Sequence, residues 1–473
     1  MYLQPEWSRL KILPVTGEQA LVIDNQNGKW AYIPSASVPL VQLFNAKDDE
    51  LPDEVLRRRN ALLEQLHEVG LGGRKYATPN DLNTVILKLT KACNYACSYC
   101  YDLEPDDKIE HLPLETAVQV LEEALELTPR QLGVILHGGE PTLFFELLRE
   151  IVQEGERLAE RMAKKIVFMG QTNLSRLNRE MVDFFEEHKM LWGISLDGPP
   201  EINDRFRVLR NGKGTYQHFE KAFENFPDFV RSCGVMSVIT ALNDRHLLPI
   251  ARHFRDLGIR SWDWSLFFPI GQGRLNNEVF AFSTDRLLES WNALFDAVEE
   301  GEFDGMSVRP VSSYLANFLL GPGQNMCMKK GCGAGRDLLS ISADGSIHAC
   351  DSFDPRGPHA NLGLVQIGGS NSLKRARASE KVARIRSRDV TLGNCRECPW
   401  LAVCGGTCMA HADSLHGVWE AQCRLAMLAF SRIATSLAES DALRRYWKSL
   451  RETPPPVGAS SETPLRELFH EVS

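Results

Sequence analysis

Between residues 84 and 268 short apolar runs alternate with longer stretches in which apolar residues recur every three or four positions. The runs are "TVILKL", "GVILH", "KIVFMG", "LWGISLD", "GVMSVIT" and "WDWSLFF". The stretches between them, such as "LETAVQVLEEALELT", "FFELLREIVQEGERLAERM" and "LLPIARHFRDLG", carry helical apolar spacing. Strand-then-helix repeats of this kind predict parallel strands joined by right-handed crossovers. The first choice is a six-stranded partial (β/α)6 barrel within an α/β fold, and a doubly wound sheet is the second. In both, chemistry sits at the C-terminal ends of the strands.

The flanks read differently. "ALVIDNQNGKWAYIP" predicts two short strands around a polar turn, and "DEVLRRRNALLEQLHEVGL" predicts a helix with a glycine stop. Residues 1–80 are therefore expected to form a small N-terminal α+β module, ahead of a barrel over 81–310. Residues 320–430 are glycine-rich, carry many of the cysteines and hold too little apolar content to fold on a core alone. A metal-dependent domain is expected over 311–440. The basic run "LKRARASEKVARIRSR" within it reads as a solvated helix face, with an acidic peptide as the alternative partner. Over 441–473 a helix and a Pro/Ser-rich mobile tail are expected.

Composition narrows the class. A net charge of −9 argues against nucleic acid as a partner, and no apolar run reaches bilayer-spanning length. The N-terminus lacks the basic start and apolar core of a signal peptide. The expectation is a cytoplasmic protein with no membrane partner. In that reducing setting the twelve cysteines point to metal rather than disulfides.

"KACNYACSYCYD" places Cys93, Cys97 and Cys100 just after the first strand. Three thiolates on one loop hold three irons of a cubane and leave the fourth open, whereas structural zinc wants a fourth ligand close by. This spacing resembles the radical S-adenosylmethionine (SAM) superfamily, and further motifs agree in order. "HGGEPTL" supplies Gly138, Gly139 and Glu140 at the second strand end; by resemblance this loop holds the amino group of SAM. Small glycines let backbone approach a ligand, and Glu140 is able to accept from an ammonium. "QTN", with Thr172 and Asn173, ends the third strand, and "SLDGP", with Ser195 and Asp197, ends the fourth. The resemblance sets these near the SAM ribose and sulfonium, although Asp197 also reads as a turn residue. Arg207 aligns with the arginine that pairs with the SAM carboxylate, and Arg205 is the alternative if the register slips.

The second half resembles the SPASM extension of peptide-modifying radical SAM enzymes. Cys332 is followed by twelve residues, Gly345, four residues and Cys350, and then come Cys395, Cys398, Cys404, Cys408 and Cys423. The resemblance implies two auxiliary clusters: one on Cys327, Cys332, Cys350 and Cys408, the other on Cys395, Cys398, Cys404 and Cys423. Three [4Fe-4S] clusters with SAM are thus expected. Cys233 is left over and reads as a small buried apolar residue.

The resemblance also implies a reaction. A 5′-deoxyadenosyl radical removes hydrogen from an unactivated carbon, and an auxiliary cluster takes the following electron. Asp351, beside Cys350, aligns with the base of sulfatase maturases; a surface acid is the competing reading. His137 stands where those maturases tend to have glutamine, and histidine appears there in several families that crosslink ribosomal peptides. The expectation is a peptide maturase of the RiPP type that forms a side-chain crosslink. Formylglycine formation on a sulfatase is the near alternative, and a non-catalytic metal-rich peptide scaffold the distant one. Implied partners are a precursor peptide or protein and an electron donor such as flavodoxin or ferredoxin. The N-terminal module is faintly similar to leader-peptide-binding domains.

Overall fold

The computed structural model describes residues 7–77, 80–103, 110–325, 327–329, 332–357, 360–369, 371–387, 393–415 and 419–452. The expected Pro/Ser-rich tail falls outside them. The chain divides into two compact bodies: Met1–Thr78, Val311–Cys332 and Arg386–Trp447 form the first, and Pro79–Pro310, Gly333–Ile385 and Lys448–Ser473 the second.

In the first body, β1 (Leu10–Pro14), β2 (Gln19–Asp24) and β3 (Trp30–Pro34) form an antiparallel sheet in that order. It closes over Ala20, Val22, Ile33, Val41, Phe44, Leu66 and Leu71, with the helix Asp53–Glu68 supplying Leu66. β2 and β3 are the two expected strands; β1 was not foreseen. The N-terminal module is also not a separate packing unit. Trp30 donates its indole N–H to the Phe318 carbonyl at 2.7 Å, and the Tyr32 hydroxyl donates to the Ala434 carbonyl at 2.6 Å. These bonds tie β3 to the helices Val311–Leu320 and Glu420–Glu439.

The second body is built on one ten-stranded sheet. Its parallel strands are β4 (Thr84–Thr90), β5 (Gln131–Gly138), β6 (Lys165–Thr172), β7 (Leu191–Ser195), β8 (Gly234–Ile239) and β9 (Ser261–Leu266). Each expected apolar run is a strand, and the pairing is sequential and parallel throughout. Amphipathic helices return the chain; Phe145–Arg161, for example, buries Leu148, Ile151, Val152 and Leu158. A two-residue strand β10 (Ser307–Val308) extends the β9 edge.

On the other side, β11 (Leu338–Ile341) pairs in parallel with β4, and β12 (Ser346–His348) and β13 (Asn361–Leu364) follow antiparallel. With neighbours on both edges, all seven residues of β4 are buried. This pairing is why 333–385 belongs with the sheet, whereas the sequence reading drew a single boundary at 311. The basic run forms the helices Ser372–Arg377 and Glu380–Ser387. Leu373, Ala376, Val382 and Ile385 are buried while Lys374, Arg375 and Arg384 face solvent, as a solvated helix face requires.

Candidate active site at the strand ends

The loop after β4 carries the three-cysteine motif and lies against the end of β5. Gly139 N donates to the Thr90 carbonyl at 2.8 Å, and Glu140 N to the Ala92 carbonyl at 2.9 Å. A Cβ on Gly139 would stand 2.0 Å from the Ala92 oxygen, and one on Gly138 (φ +118) 2.5 Å from the Thr90 oxygen. These glycines therefore admit the chain's own backbone, a use the sequence reading had given to a ligand. Burial pushes the Cys93, Cys97 and Cys100 thiols up to about 11, and the three interact electrostatically. Arg207 opposes the shift at Cys93 and Cys97, and the further positive charge of a metal cluster would let all three ionise together. Among the described residues no group of three or more His, Cys, Asp or Glu is drawn in to single-ion distances. A cubane sets each thiolate on a separate iron, so the two observations are compatible.

Glu140 is buried and accepts from four donors. It accepts from Thr142 N at 3.2 Å, Thr142 Oγ1 at 2.6 Å, Thr172 Oγ1 at 2.8 Å and Asn173 N at 2.7 Å. Three of these donors converge on Oε1 and one reaches Oε2, which leaves Oε2 an acceptor site for an ammonium. Glu140 thus pins the end of β6 to the β5 loop. Asn173 reaches the cysteine loop through Asn94 at 3.0 Å. Ser195 accepts from the Gln171 side chain at 2.9 Å.

Arg207 and Asp197 meet through an unforeseen partner, Tyr99, from inside the cysteine motif. The Tyr99 hydroxyl donates to Asp197 Oδ2, and Arg207 Nη1 donates to that hydroxyl at 2.8 Å. Asp197 also accepts from Val238 N at 2.9 Å, so it ties the ends of β7 and β8 and is more than a turn residue. Burial raises the Asp197 pKa, with Arg207 opposing. Arg207 is 9 % exposed, yet its Nε has no partner. An orphaned buried guanidinium donor fits an anionic ligand group such as the SAM carboxylate. Arg205 faces solvent, whereas Arg207 is buried.

The opposite rim of the sheet end gathers a second charged group. Lys88 and His137 are register partners on β4 and β5, so both project from one face. Lys88 pairs with Asp102, and Lys91 Nζ donates to the Asp102 carbonyl at 2.8 Å. Burial works against the Lys88 charge, but Asp102 and Asp351 hold its pKa above the ordinary value. Asp351 accepts from the Tyr101 hydroxyl at 2.9 Å and from the Cys350 thiol at 3.2 Å. Burial pulls the His137 pKa down, so the imidazole is neutral, and its Nδ1 has no partner. A cavity of about 360 Å³ opens here, lined by Lys88, Lys91, His348, Cys350, Asp351 and Phe353 among others.

The remaining cysteines divide between the bodies. Cys395, Cys398, Cys404 and Cys423 all lie in the first, where they interact electrostatically, and burial pushes Cys404 up to about 12. Cys327, Cys332 and Cys408 also belong to the first body and Cys350 to the second. Cys233 is 2 % exposed and donates to the Phe229 carbonyl at 3.2 Å, the structural role expected for it.

Known proteins place this arrangement. Residues 87–254, from β4 into the helix Leu247–Asp256, match the family model of the Radical SAM superfamily. A cysteine-type anaerobic sulfatase-maturating enzyme of Clostridium perfringens is 25% identical over 347 residues, covering 70% of this chain and 90% of that protein. The solved structure of native anSMEcpe with bound AdoMet superposes with a TM-score of 0.65 at 22% identity, over 78% of this chain and 100% of that one. Streptococcus suis SuiB bound to precursor peptide SuiA superposes at 0.51 and 13% identity, over 85% and 95%. Among the described residues no helix is long and apolar enough to cross a membrane. With a parallel sheet, a three-cysteine loop at its first strand end and an orphaned arginine donor opposite, the chain carries a radical SAM domain over residues 87–254 and is homologous to the anaerobic sulfatase-maturating enzymes.

Proposed function

We propose that the protein oxidatively modifies a ribosomally made peptide, joining two of its side chains. The observation that carries this reading is the face shared by His137 and Lys88, with Asp351 beside it. The half-buried His137 imidazole has its Nδ1 out of solvent and unpartnered there, and its register partner Lys88 lines a polar cavity together with Asp351. Peptides are bound by SuiB and by anSMEcpe in solved structures, and the shared fold supports the same substrate class.

Cys93, Cys97 and Cys100 would hold the cluster that works with SAM, and Arg207 would take the SAM carboxylate. When bound, SAM and the clusters supply hydrogen-atom removal from an unactivated carbon and uptake of the electron that follows. Asp351 would receive the proton released as the new bond forms. Tyr101 orients that carboxylate, and Cys350, once a thiolate on iron, would cease to donate to it. The other two sets of four cysteines, Cys327, Cys332, Cys350 and Cys408, and Cys395, Cys398, Cys404 and Cys423, would hold two auxiliary clusters. A flavodoxin or ferredoxin would supply the priming electron.

Co-expression with candidate peptides tests the proposal: mass spectrometry should find a product lighter by two hydrogens with two residues joined. A formylglycine on a sulfatase peptide instead would establish the second reading, which the homology to sulfatase-maturating enzymes favours. His137→Gln should lower peptide turnover by about tenfold or more while SAM cleavage stays within about threefold, because the neighbours of the imidazole are Tyr101, Asp351, Asp102 and Lys88. Equal loss of both would remove His137 from the substrate side.

A further inference from the structure

The turn between β2 and β3 in the first body has no part in the scheme above, yet it is built around a buried polar contact. Asn25 is 2 % exposed. Its side-chain amide donates to the Arg396 carbonyl at 3.0 Å and to the Cys398 carbonyl at 3.4 Å. One amide thus spans the loop from Cys395 to Cys398. The turn that presents it is itself held firmly. Asp24 accepts from Arg9 Nε at 2.9 Å, Gln26 N at 2.9 Å and Gly72 N at 3.1 Å. Asn25 N donates to the Arg9 carbonyl at 3.2 Å.

Two further contacts grip the same cysteine segment. Lys11, on β1, pairs with Glu397 at 2.6 Å. Gly28 (φ +75) lies so close to the chain before Cys404 that a Cβ would meet Val403 Cγ1 at 3.1 Å. Because the peptide unit is planar and trans, drawing the Arg396 carbonyl toward Asn25 fixes where the Glu397 N–H points, and drawing the Cys398 carbonyl toward it fixes the peptide plane leading into Pro399, which has no N–H. Peptide dipoles beside a cluster set its stability and its potential.

We propose that Asn25 is a positioning residue for the cluster held by Cys395, Cys398, Cys404 and Cys423, and that the N-terminal sheet is a brace for that site. The inference rests on the reading that these four thiols hold a cluster. It gives the N-terminal module a task independent of any leader peptide.

The test compares the full-length wild type with Asn25→Ala, Asn25→Asp and Lys11→Met, each reconstituted anaerobically. Iron and sulfide per chain, the rate of iron loss to a chelator and an EPR redox titration are measured. Wild type should hold about 12 irons in three clusters. Asn25→Ala should fall to about 8, or lose one cluster's iron roughly tenfold faster, with the SAM-binding cluster signal unchanged. Asn25→Asp keeps the shape but faces two carbonyls with an oxygen, so it should do no better than alanine; a mere filler role would leave it close to wild type. Lys11→Met, at the surface, should accelerate iron loss about twofold, and it keeps the test open should Asn25→Ala fail to fold. Wild-type iron, chelation rate and potential in both Asn25 variants, or in Lys11→Met if it alone folds, overturns the proposal. A wild type that binds iron for one cluster only would instead overturn the cluster reading beneath it.

Discussion

Asp351→Asn should leave SAM cleavage within about threefold of wild type while peptide product falls by roughly a hundredfold to a thousandfold. The substitution keeps the shape of the side chain and an oxygen for the Tyr101 hydroxyl, which now donates to Asp351 at 2.9 Å. Lys88 loses one of its anionic neighbours but retains Asp102. The fold and the three-cysteine loop are therefore expected to survive. What disappears is the capacity to take a proton beside Cys350. The measurement is the ratio of 5′-deoxyadenosine to modified peptide, which should climb as hydrogen removal becomes uncoupled from product. An unchanged product yield would reduce Asp351 to a neighbour of a ligand. A parallel loss of both activities would assign it a structural role.

Much of the sheet was legible because its strands are runs of apolar residues separated by helical spacing, and both signals are local. The strands that escaped are short. β1, "LKILP", is interrupted by a lysine and ends in proline; its only cue was Leu10 and Ile12 at a two-residue period, both of which pack on the first core. β11 to β13 hold four, three and four residues, and their place is set by the free edge of β4, which no local pattern announces.

The site was legible wherever a motif has fixed spacing and opaque wherever a partner comes from elsewhere. Cysteine spacing placed three thiols on one loop, but it said nothing of the tyrosines between and after them. Tyr99 links Asp197 to Arg207, and Tyr101 orients Asp351. Lys88 did leave a trace, the single charged residue in a strand whose residues are all buried. A charge in that setting needs a counter-charge, which Asp102 supplies. The glycines of "HGGEP" carried a true signal with a different cause. Close approach is required there, but the approaching groups are the carbonyls of Thr90 and Ala92.

Arg207→Met should raise the KM for SAM by roughly thirtyfold to three-hundredfold, with iron content unchanged and kcat at saturating SAM within a few-fold. The guanidinium spends Nη1 on Tyr99 and keeps a buried Nε without a partner, so a carboxylate gains a charge-assisted contact that nothing else present would replace. The loss should be tolerated by the fold. Burial already raises the pKa of Asp197, and that carboxyl is able to take up its proton once the cation has gone. Arg207→Lys retains charge without the planar fork and should fall between, at about tenfold. Arg205→Met serves as the control, because Arg205 faces solvent and should leave the KM unaltered. A KM that does not move in Arg207→Met would mean that Arg207 serves Tyr99 and Asp197 alone. The effect would then appear as a lower melting temperature, with no change in the affinity for SAM.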